Sequence, residues 1–467
     1  MQLTDTLAAF DAHLDPASRA PVAVAFSGGG DSLALLVAAL EWSRRRGRAV
    51  VALHVDHQLQ PQSGAFADLA QATALKLGAG FRKLTWSGAK PTSGIPAAAR
   101  TARLGLLADA VRELGGCVLL LGHTADDVAE NEWMREEGGS LGRLRDWSPS
   151  PVWPAGRDLF HFRPLLGCRR AALRAELTAR GLTWLDDPAN EDGRFARTRA
   201  RLALSAPFPL EGGRARDGGD SVSGYREVES SELNWSDDRL RMGFHPHPNP
   251  SPLQGEGLLA DRWGGVWLDR TWLRDIADAC RALALAATCA SGREAPPRGE
   301  RLGRLLSRLR TTEAFVATIG GARIVAGEGE VLFSRDEGRL NRSEGAELPV
   351  GSDQAWDGRF LLSASEPGWR IAALRGHAAR LPKAEREALK RIPAALRPSL
   401  PVAVKDGETL TCPILAHGPV MALSLAERRM LAAMGAVQTE SQAMALAHGE
   451  AGAGDLSPAL KCLKAET

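Results

Sequence analysis

Short apolar runs alternate with longer helical ones near the start of this chain, and that rhythm constrains the fold more than any other feature. Between residues 21 and 122 the order is PVAVAF, SLALLVAALEW, AVVALHVD, AFADLAQATALKLG, a third helical stretch over 95–114, and CVLLLGH. The first four read as strand, helix, strand, helix. Runs as uniformly apolar as PVAVAF and CVLLLG suit strands buried on both faces, as in a parallel sheet covered by helices on each side. The expected class is α/β with a Rossmann-like parallel sheet, whose ligands gather at the carboxyl ends of the strands.

At the first strand-to-helix turn the sequence is SGGGDS, residues 27–32. Gly28, Gly29 and Gly30 let the backbone approach an anion and present N–H groups, and the helix behind them points its positive end the same way. Ser27 and Ser32 add hydroxyl donors, and Asp31 is placed to hold a Mg²⁺ that bridges phosphate oxygens. No G-K-[ST] ends the turn and no G-x-G-x-x-G spacing is present, which excludes the Walker A loop and the dinucleotide fingerprint. The bland alternative is a glycine turn with Asp31 and Ser32 as helix caps.

Other chemistry-bearing residues fall at the same sheet edge. His54, Asp56 and His57 follow the second strand; they read as ligand-facing groups, with His54 near an adenine, or as hydrogen-bonding turn residues. GHTADDVAEN follows CVLLLG and places Asp127 and Glu130 on one helical face, a pairing that suits an ammonium group. Asp126 is a candidate metal ligand, and each of these acids is equally a helix cap. Arg100 and Arg103 lie at helical spacing and make one face cationic, which by itself reads as a solvated face; the clamp on phosphates is a reading that only a family pattern adds for Arg100. His123 reads as a catalytic or a packed residue. Arg194, Arg197, Arg199 and Arg201 suit an RNA backbone or a plain charge run. Farther on, RLGRLLSRLR sets Arg301, Arg304 and Arg308 on one face and leucines elsewhere, as an RNA-facing or an ordinary surface helix.

SGGGDS resembles the signature of the PP-loop ATP pyrophosphatases. Further segments, in order, resemble the tRNA(Ile)-lysidine synthetase branch: HVDHQLQPQSG (54–64), GIPAAARTARLG (94–105), GHTADDVAEN (122–131), FRPLLGCRRAAL (162–173) and WLDDPANEDGRFARTRAR (184–201). The resemblance covers residues 21–201 and thins beyond. It implies ATP and Mg²⁺ as cofactors, adenylation at C2 of the wobble cytidine (position 34) of a CAU-anticodon tRNA(Ile), and joining of free L-lysine with release of AMP and pyrophosphate. The site residues it implies are Asp31, Arg100, Asp127 and Glu130 for catalysis, 27–32 with His54 for the nucleotide, and Asp31 with Asp126 for the metal. The chain departs from the family at Gln58 and Gln60, where Gly and Arg are usual, at Val128 and Asn131, where Gln and Thr are usual, at Leu104 in place of Tyr, and at Thr198. Competing readings are a PP-loop enzyme that thiolates tRNA or amidates a small acid, and a tRNA-binding relative without turnover. Thiolation calls for active cysteines, and no two of the six form a C-x-x-C pair.

A length of 467 residues implies two or three domains. The expected division is 1–205 for ATP binding, 206–262 as a disordered Gly/Pro/Ser-rich insert, 263–345 as a helical and mixed region contacting tRNA, and 346–467 as an α+β region ending in a helix and a frayed tail. Trp263, Trp267, Trp272, Trp356 and Trp369 are expected in the core. A net charge of +2 decides little about partners. No apolar run is long enough to span a bilayer, and the cysteine usage suits a reducing, cytoplasmic setting. The sequence leaves monomer and homodimer open.

Overall fold

A computed structural model describes residues 6–138, 142–185, 196–205, 257–276, 278–340, 345–406 and 409–448. After helix α1 (Leu7–His13), strands β1 (Val22–Ala25), β2 (Val50–Asp56), β3 (Gly80–Thr85) and β4 (Val118–Leu120) alternate with helices α2 (Gly30–Arg46), α3 (Ser63–Leu77) and α4 (Ile95–Glu113). Helix α5 (Ala125–Glu136), strands β5 (Trp147–Pro149) and β6 (Phe160–Phe162), and helices α6 (Arg170–Ala179) and α7 (Ala196–Ser205) complete this part. The sheet order is β3-β2-β1-β4-β6-β5. All strands are parallel except β5, which runs antiparallel to β6. Strand order therefore reverses between β1 and β4, and the crevice at their carboxyl ends is where this topology leaves room for a ligand. SGGGDS follows β1 and GHTADD follows β4, so both motifs open onto that crevice.

Helix α2 buries Leu33, Leu35, Leu36 and Val37 against one side of the sheet, and α4 buries Leu104, Leu107, Ala108 and Val111 against the other. Strand β3 was not legible as an apolar run because it is an edge strand: Leu84 is buried while Arg82 and Lys83 reach solvent. No helix among the described residues is long and apolar enough to cross a membrane.

Strands β7 (Leu258–Ala260) and β8 (Val266–Asp269), helices α8 (Arg270–Asp275), α9 (Ala279–Ser291) and α10 (Glu300–Leu309), and strands β9 (Phe315–Ile319), β10 (Ala322–Ala326) and β11 (Glu330–Arg335) follow. Their antiparallel sheet, ordered β7-β8-β11-β10-β9, packs on α9 and α10. Strand β7 takes up the end of the stretch expected as an insert; residues 206–256 lie outside the described ones. Helix α10 buries Leu302, Leu305 and Leu309 and exposes Arg301, Arg304 and Arg308. Strands β12 (Ala346–Glu347), β13 (Gln354–Trp356), β14 (Phe360–Ala364) and β15 (Trp369–Ala373), helix α11 (Lys383–Lys390), and strands β16 (Pro401–Lys405), β17 (Thr409–Thr411) and β18 (Val420–Ser424) build two small sheets, β12-β15-β16-β17 and β13-β14-β18. Trp263 and Trp369 are buried in the core these sheets share, with Trp267 and Trp356 at its margin, and Trp272 borders the core under α9.

Two helices close the described chain, α12 (Ala426–Met434) and α13 (Glu440–His448). One helix is expected at the end of the chain; the structure has two, which return to the first core, and the frayed tail expected after them falls in residues 449–467, outside the described ones. Ala426 and Met430 of α12 enter the core beneath α9, while Leu431, Val437, Ala443 and Leu446 enter the core that holds Phe10, Trp42 and Phe162. Polar contacts fix the docking. Arg48 donates to both carboxylate oxygens of Glu440 at 2.8 and 2.9 Å, Asp15 N–H donates to Glu440 Oε2 at 2.9 Å, and Trp147 Nε1 donates to the Val437 carbonyl at 2.9 Å. The Arg48 and Glu440 side chains are 4% and 3% exposed.

Glu440→Ala leaves Arg48 buried without a counter-charge, and urea unfolding is expected to show a loss of about 3–5 kcal/mol. A second measurement concerns Glu427 on α12, whose carboxyl burial pushes up to about 7 against the opposing charge of Arg428. A carboxyl with a raised folded pKa stabilises only while protonated, so stability is expected to fall as pH rises from about 4.5 to about 7. In Glu427→Gln that decline flattens, which melting curves across this range will read.

Candidate active site

The loop after β1 is held by its own side chains. Ser32 Oγ donates to the Gly29 carbonyl at 2.9 Å and lies 3.1 Å from Ser27 Oγ, and Gly29 N–H donates to Ser27 Oγ at 3.3 Å. Both hydroxyls expected to face an anion are thus also braces of the turn. Gly28 sits at φ +88°, a backbone that favours glycine, and a Cβ there would lie 2.6 Å from Leu185 Cδ1, so the end of the Leu185 side chain would have to move as well. Leu185 N–H donates to the Gly28 carbonyl at 3.0 Å, which ties the segment after α6 to the loop. His54 is buried on β2 with Nδ1 3.0 Å from the Phe26 carbonyl, a support for the last residue before the loop. A Cβ on Gly122 would meet the Asp31 backbone at 3.0 Å, so a glycine there lets the turn after β4 lie against the start of α2.

Asp31, at the first turn of α2, and Asp127 and Glu130, one turn apart on α5, converge on one guanidinium. Arg170, the first residue of α6, reaches Asp31 Oδ2 with Nε at 2.9 Å, Glu130 Oε1 with Nη1 at 3.2 Å and Asp127 Oδ2 with Nη2 at 3.6 Å. Burial alone would depress Arg170, but its hydrogen bond to Asp31 and the charges of Asp31, Asp127 and Glu130 outweigh it and raise its pKa. Burial pushes the Asp31 carboxyl up, opposed by Arg170 and reinforced by the charge of Asp127. Burial acts on Asp127 in the same sense, yet the Thr124 N–H and the charges of His123, Arg197 and Arg170 bring it below the usual range.

Each acid also has a local role. Asp127 Oδ2 accepts from Thr124 N–H and the Thr124 hydroxyl, both at 2.9 Å, so it caps α5. Asp126 Oδ2 accepts the Arg170 N–H at 2.7 Å and so caps α6 from the neighbouring helix. Helix α7 runs beside α5 and aligns Arg197 with Asp127 at 3.7 Å and Arg201 with Glu130 at 2.7 Å. Two of the four arginines read as an RNA-facing run therefore face acids, and Arg194 lies outside the described residues. Two carboxylate oxygens, Asp31 Oδ1 and Glu130 Oε2, are buried with no hydrogen-bond partner among the described residues. Among those residues no three His, Cys, Asp or Glu side chains gather as a metal cluster, so Asp31 and Asp126 are not joined by a third such ligand.

Arg100 and Arg103 project from the amino-terminal half of α4. Arg100 is exposed and Arg103 half-buried. Arg170, the hub of the acids, was not singled out in the sequence, although it lies in the quoted segment FRPLLGCRRAAL; the one signal for it was a paired arginine at a helix start. Where family members usually carry glycine, Gln58 adopts φ +52°, the left-handed region, with its N–H held by Asp56 Oδ1 at 2.9 Å. Leu104 is packed in the core, and Asn131 donates to the Gly142 carbonyl at 2.9 Å.

Comparison with known proteins adds to this geometry. The family model for a PP-loop domain matches residues 3–207. A tRNA(Ile)-lysidine synthase of Caulobacter vibrioides is 45% identical over 450 residues, covering 94% of this chain and 100% of that protein. The tRNA(Ile)-lysidine synthase of Hyphomonas neptunium is 38% identical over 73% of this chain and 89% of its own length, and that of Rhizobium meliloti 36% identical over 75% of each.

Gly28→Ala puts an L side chain on a left-handed backbone and displaces the end of Leu185. It is expected to weaken ATP binding about tenfold or more, as read by titration calorimetry.

Proposed function

This chain belongs to the tRNA(Ile)-lysidine synthase family, and from that premise we propose that it joins lysine to the wobble cytidine of tRNA(Ile). In this reading ATP adenylates the C2 oxygen of the cytidine at position 34 of a CAU-anticodon tRNA, with release of pyrophosphate. The ε-amine of free L-lysine then attacks C2, and the adenylated oxygen leaves with AMP. The convergence of Asp31, Asp127 and Glu130 at the reversal point of a parallel sheet, beside a glycine loop, carries the proposal.

The two unpartnered oxygens divide the work. Asp31 Oδ1 is a hard anionic ligand at the loop that cradles phosphate, and it fits Mg²⁺, with Asp126 beside it through Arg170. When bound, that ion neutralises charge on phosphate oxygens during adenylyl transfer. The backbone amides of 27–32 and the start of α2 hold the polyphosphate, and His54 fixes the strand end beside the adenine. Glu130 Oε2 is free to accept from the lysine ammonium, and Asp127, held ionised by its cap, adds the second negative charge. Arg100, exposed on α4, serves as a counter-charge for phosphate oxygens. Attack at C2 needs a neutral amine, and the paired carboxylates orient the amine and take up its proton. The region 263–345 grips tRNA through the arginine face of α10. Such an enzyme works in the cytoplasm, and the acids assembled here come from one copy of the chain. Thiolation and amidation find no support among the relatives named above.

Incubation with ATP, Mg²⁺, labelled lysine and CAU-anticodon tRNA(Ile) is expected to place label in RNA, with AMP and pyrophosphate formed in equal amounts. Asp31→Ala and Asp127→Ala are expected to lower the rate at least about a hundredfold. Ammonia-dependent turnover, or tRNA binding without ATP cleavage by the unaltered protein, would overturn the assignment.

A further inference from the structure

A second cavity opens where three parts of the chain meet, with a volume of about 380 Å³. One wall is the turn between β5 and β6, residues 149–160, and the others come from α9 and the closing helices α12 and α13. Phe160 begins β6, so the cavity lies at the amino end of that strand, away from the crevice. Most of its surface is apolar, with Trp153 and Leu159 from the turn, Leu285 from α9, Ala432 from α12 and Leu446 from α13. Small molecules bind in cavities of this size and lining, often at junctions between domains. Neither adenylation nor lysine transfer uses it.

The charges along its lining do not balance. Arg281, Arg428 and Arg429 face two acids, Asp158 and Glu294, which leaves one positive charge in excess. Arg428 is matched, with Nη1 3.2 Å from Asp158 Oδ2. Arg429 lies over the Trp153 ring at 4.4 Å and donates to the carbonyls of Thr288, Arg293 and Glu294 at 3.1, 2.6 and 3.2 Å. Arg281 donates to the Ala433 carbonyl at 3.3 Å. Carbonyls accept these donors without cancelling their charge, and among the described residues no carboxylate lies within ion-pair distance of Arg281 or Arg429. Burial holds the Arg429 guanidinium below its ordinary value, opposed by Cys289 and Glu294. Burial and then the charges of Arg281 and Arg143 do the same to Arg145, so further cations gather on the Arg281 side. Ser150, from the turn, adds a hydroxyl buried with no hydrogen-bond partner among the described residues.

We propose that this junction binds a small monoanion with an apolar body, its ring or chain lying among Trp153, Leu285 and Leu446 and its charge at Arg281 and Arg429. A planar anionic group takes parallel donors from a guanidinium. The indole and the aliphatic walls remove an apolar body from water. Such a ligand touches the first domain, α9 and both closing helices at once, so it binds only their docked arrangement and stabilises it. A polynucleotide fits poorly, because it carries a charge at every residue and the lining offers one in excess.

Two dyes of one skeleton test this on the full chain: anilinonaphthalenesulfonate carries a single sulfonate, and phenylnaphthylamine lacks it. The folded protein is expected to bind one molecule of the sulfonate per chain, with a rise in emission and in melting temperature, and to bind the neutral dye at least about tenfold more weakly. Leu285→Trp and Ala432→Phe fill the space from two different helices, and each is expected to lower affinity for both dyes at least about tenfold. Arg281→Met should lower affinity for the sulfonate about tenfold and leave the neutral dye unchanged, with Arg281→Lys recovering part of the loss. Arg281 has no acid partner to strand, so both of its variants are expected to melt with the unaltered protein. Absence of sulfonate binding by the unaltered protein overturns the proposal, as does equal affinity for the two dyes. Sulfonate binding that survives both filling variants places the dye elsewhere on the surface and overturns it too. Displacement of the sulfonate by an equimolar amount of tRNA would assign the junction to RNA and refute the small-anion site.

Discussion

The guanidinium of Arg170 lies among three carboxylates that arrive on two helices following two different strands. Without it, Asp31, Asp127 and Glu130 would repel one another in a half-buried crevice, and at least one would take up a proton to escape. The backbone of Arg170 is fixed as well, because Asp126 holds its N–H from α5. One residue therefore joins α2, α5 and α6 and sets the charge state of the crevice. Two carboxylate oxygens of the arrangement, Asp31 Oδ1 and Glu130 Oε2, keep no hydrogen-bond partner among the described residues.

The crevice is electrically divided. Acids cluster beside the glycine loop, and arginine and histidine donors cluster toward β6, with His123 at the boundary feeling both Asp127 and Arg163. Much of the cationic half is uncompensated, which is the kind of local instability that function imposes on an otherwise well-packed domain.

What the sequence revealed follows from the range over which each signal acts. Phe26 to Ser32 was readable because a strand end, three glycines and a helix start are contiguous, and GHTADD because it trails an apolar strand. Strands β3, β5 and β6 escaped notice because one is a charged edge and the other two are three residues each. Arg170 was hidden for a different reason: Asp31 is 139 positions away, and no local pattern distinguishes a hub arginine from a surface one. Asp127 was read as a substrate grip or a helix cap, and the structure places it in the capping position with arginines on its free side. The departures at Leu104 and Asn131 are absorbed by packing and a backbone contact, whereas Gln58 leaves a non-glycine residue in a left-handed turn beside Asp56.

Helix α12 belongs to two cores at once, and α13 seals the first of them with residues more than 390 positions from Arg48. Domains usually complete their folding in the order of synthesis. Here the first domain waits. A ribosome translating this chain makes Asp31, Asp127, Glu130 and Arg170 early, yet the platform beneath α1 and α2 is finished only when the closing helices emerge. A chain cut short before them lacks the apolar side chains of Leu431, Val437, Ala443 and Leu446 and the Glu440 carboxylate, so Phe10, Trp42 and Arg48 lose part of their cover.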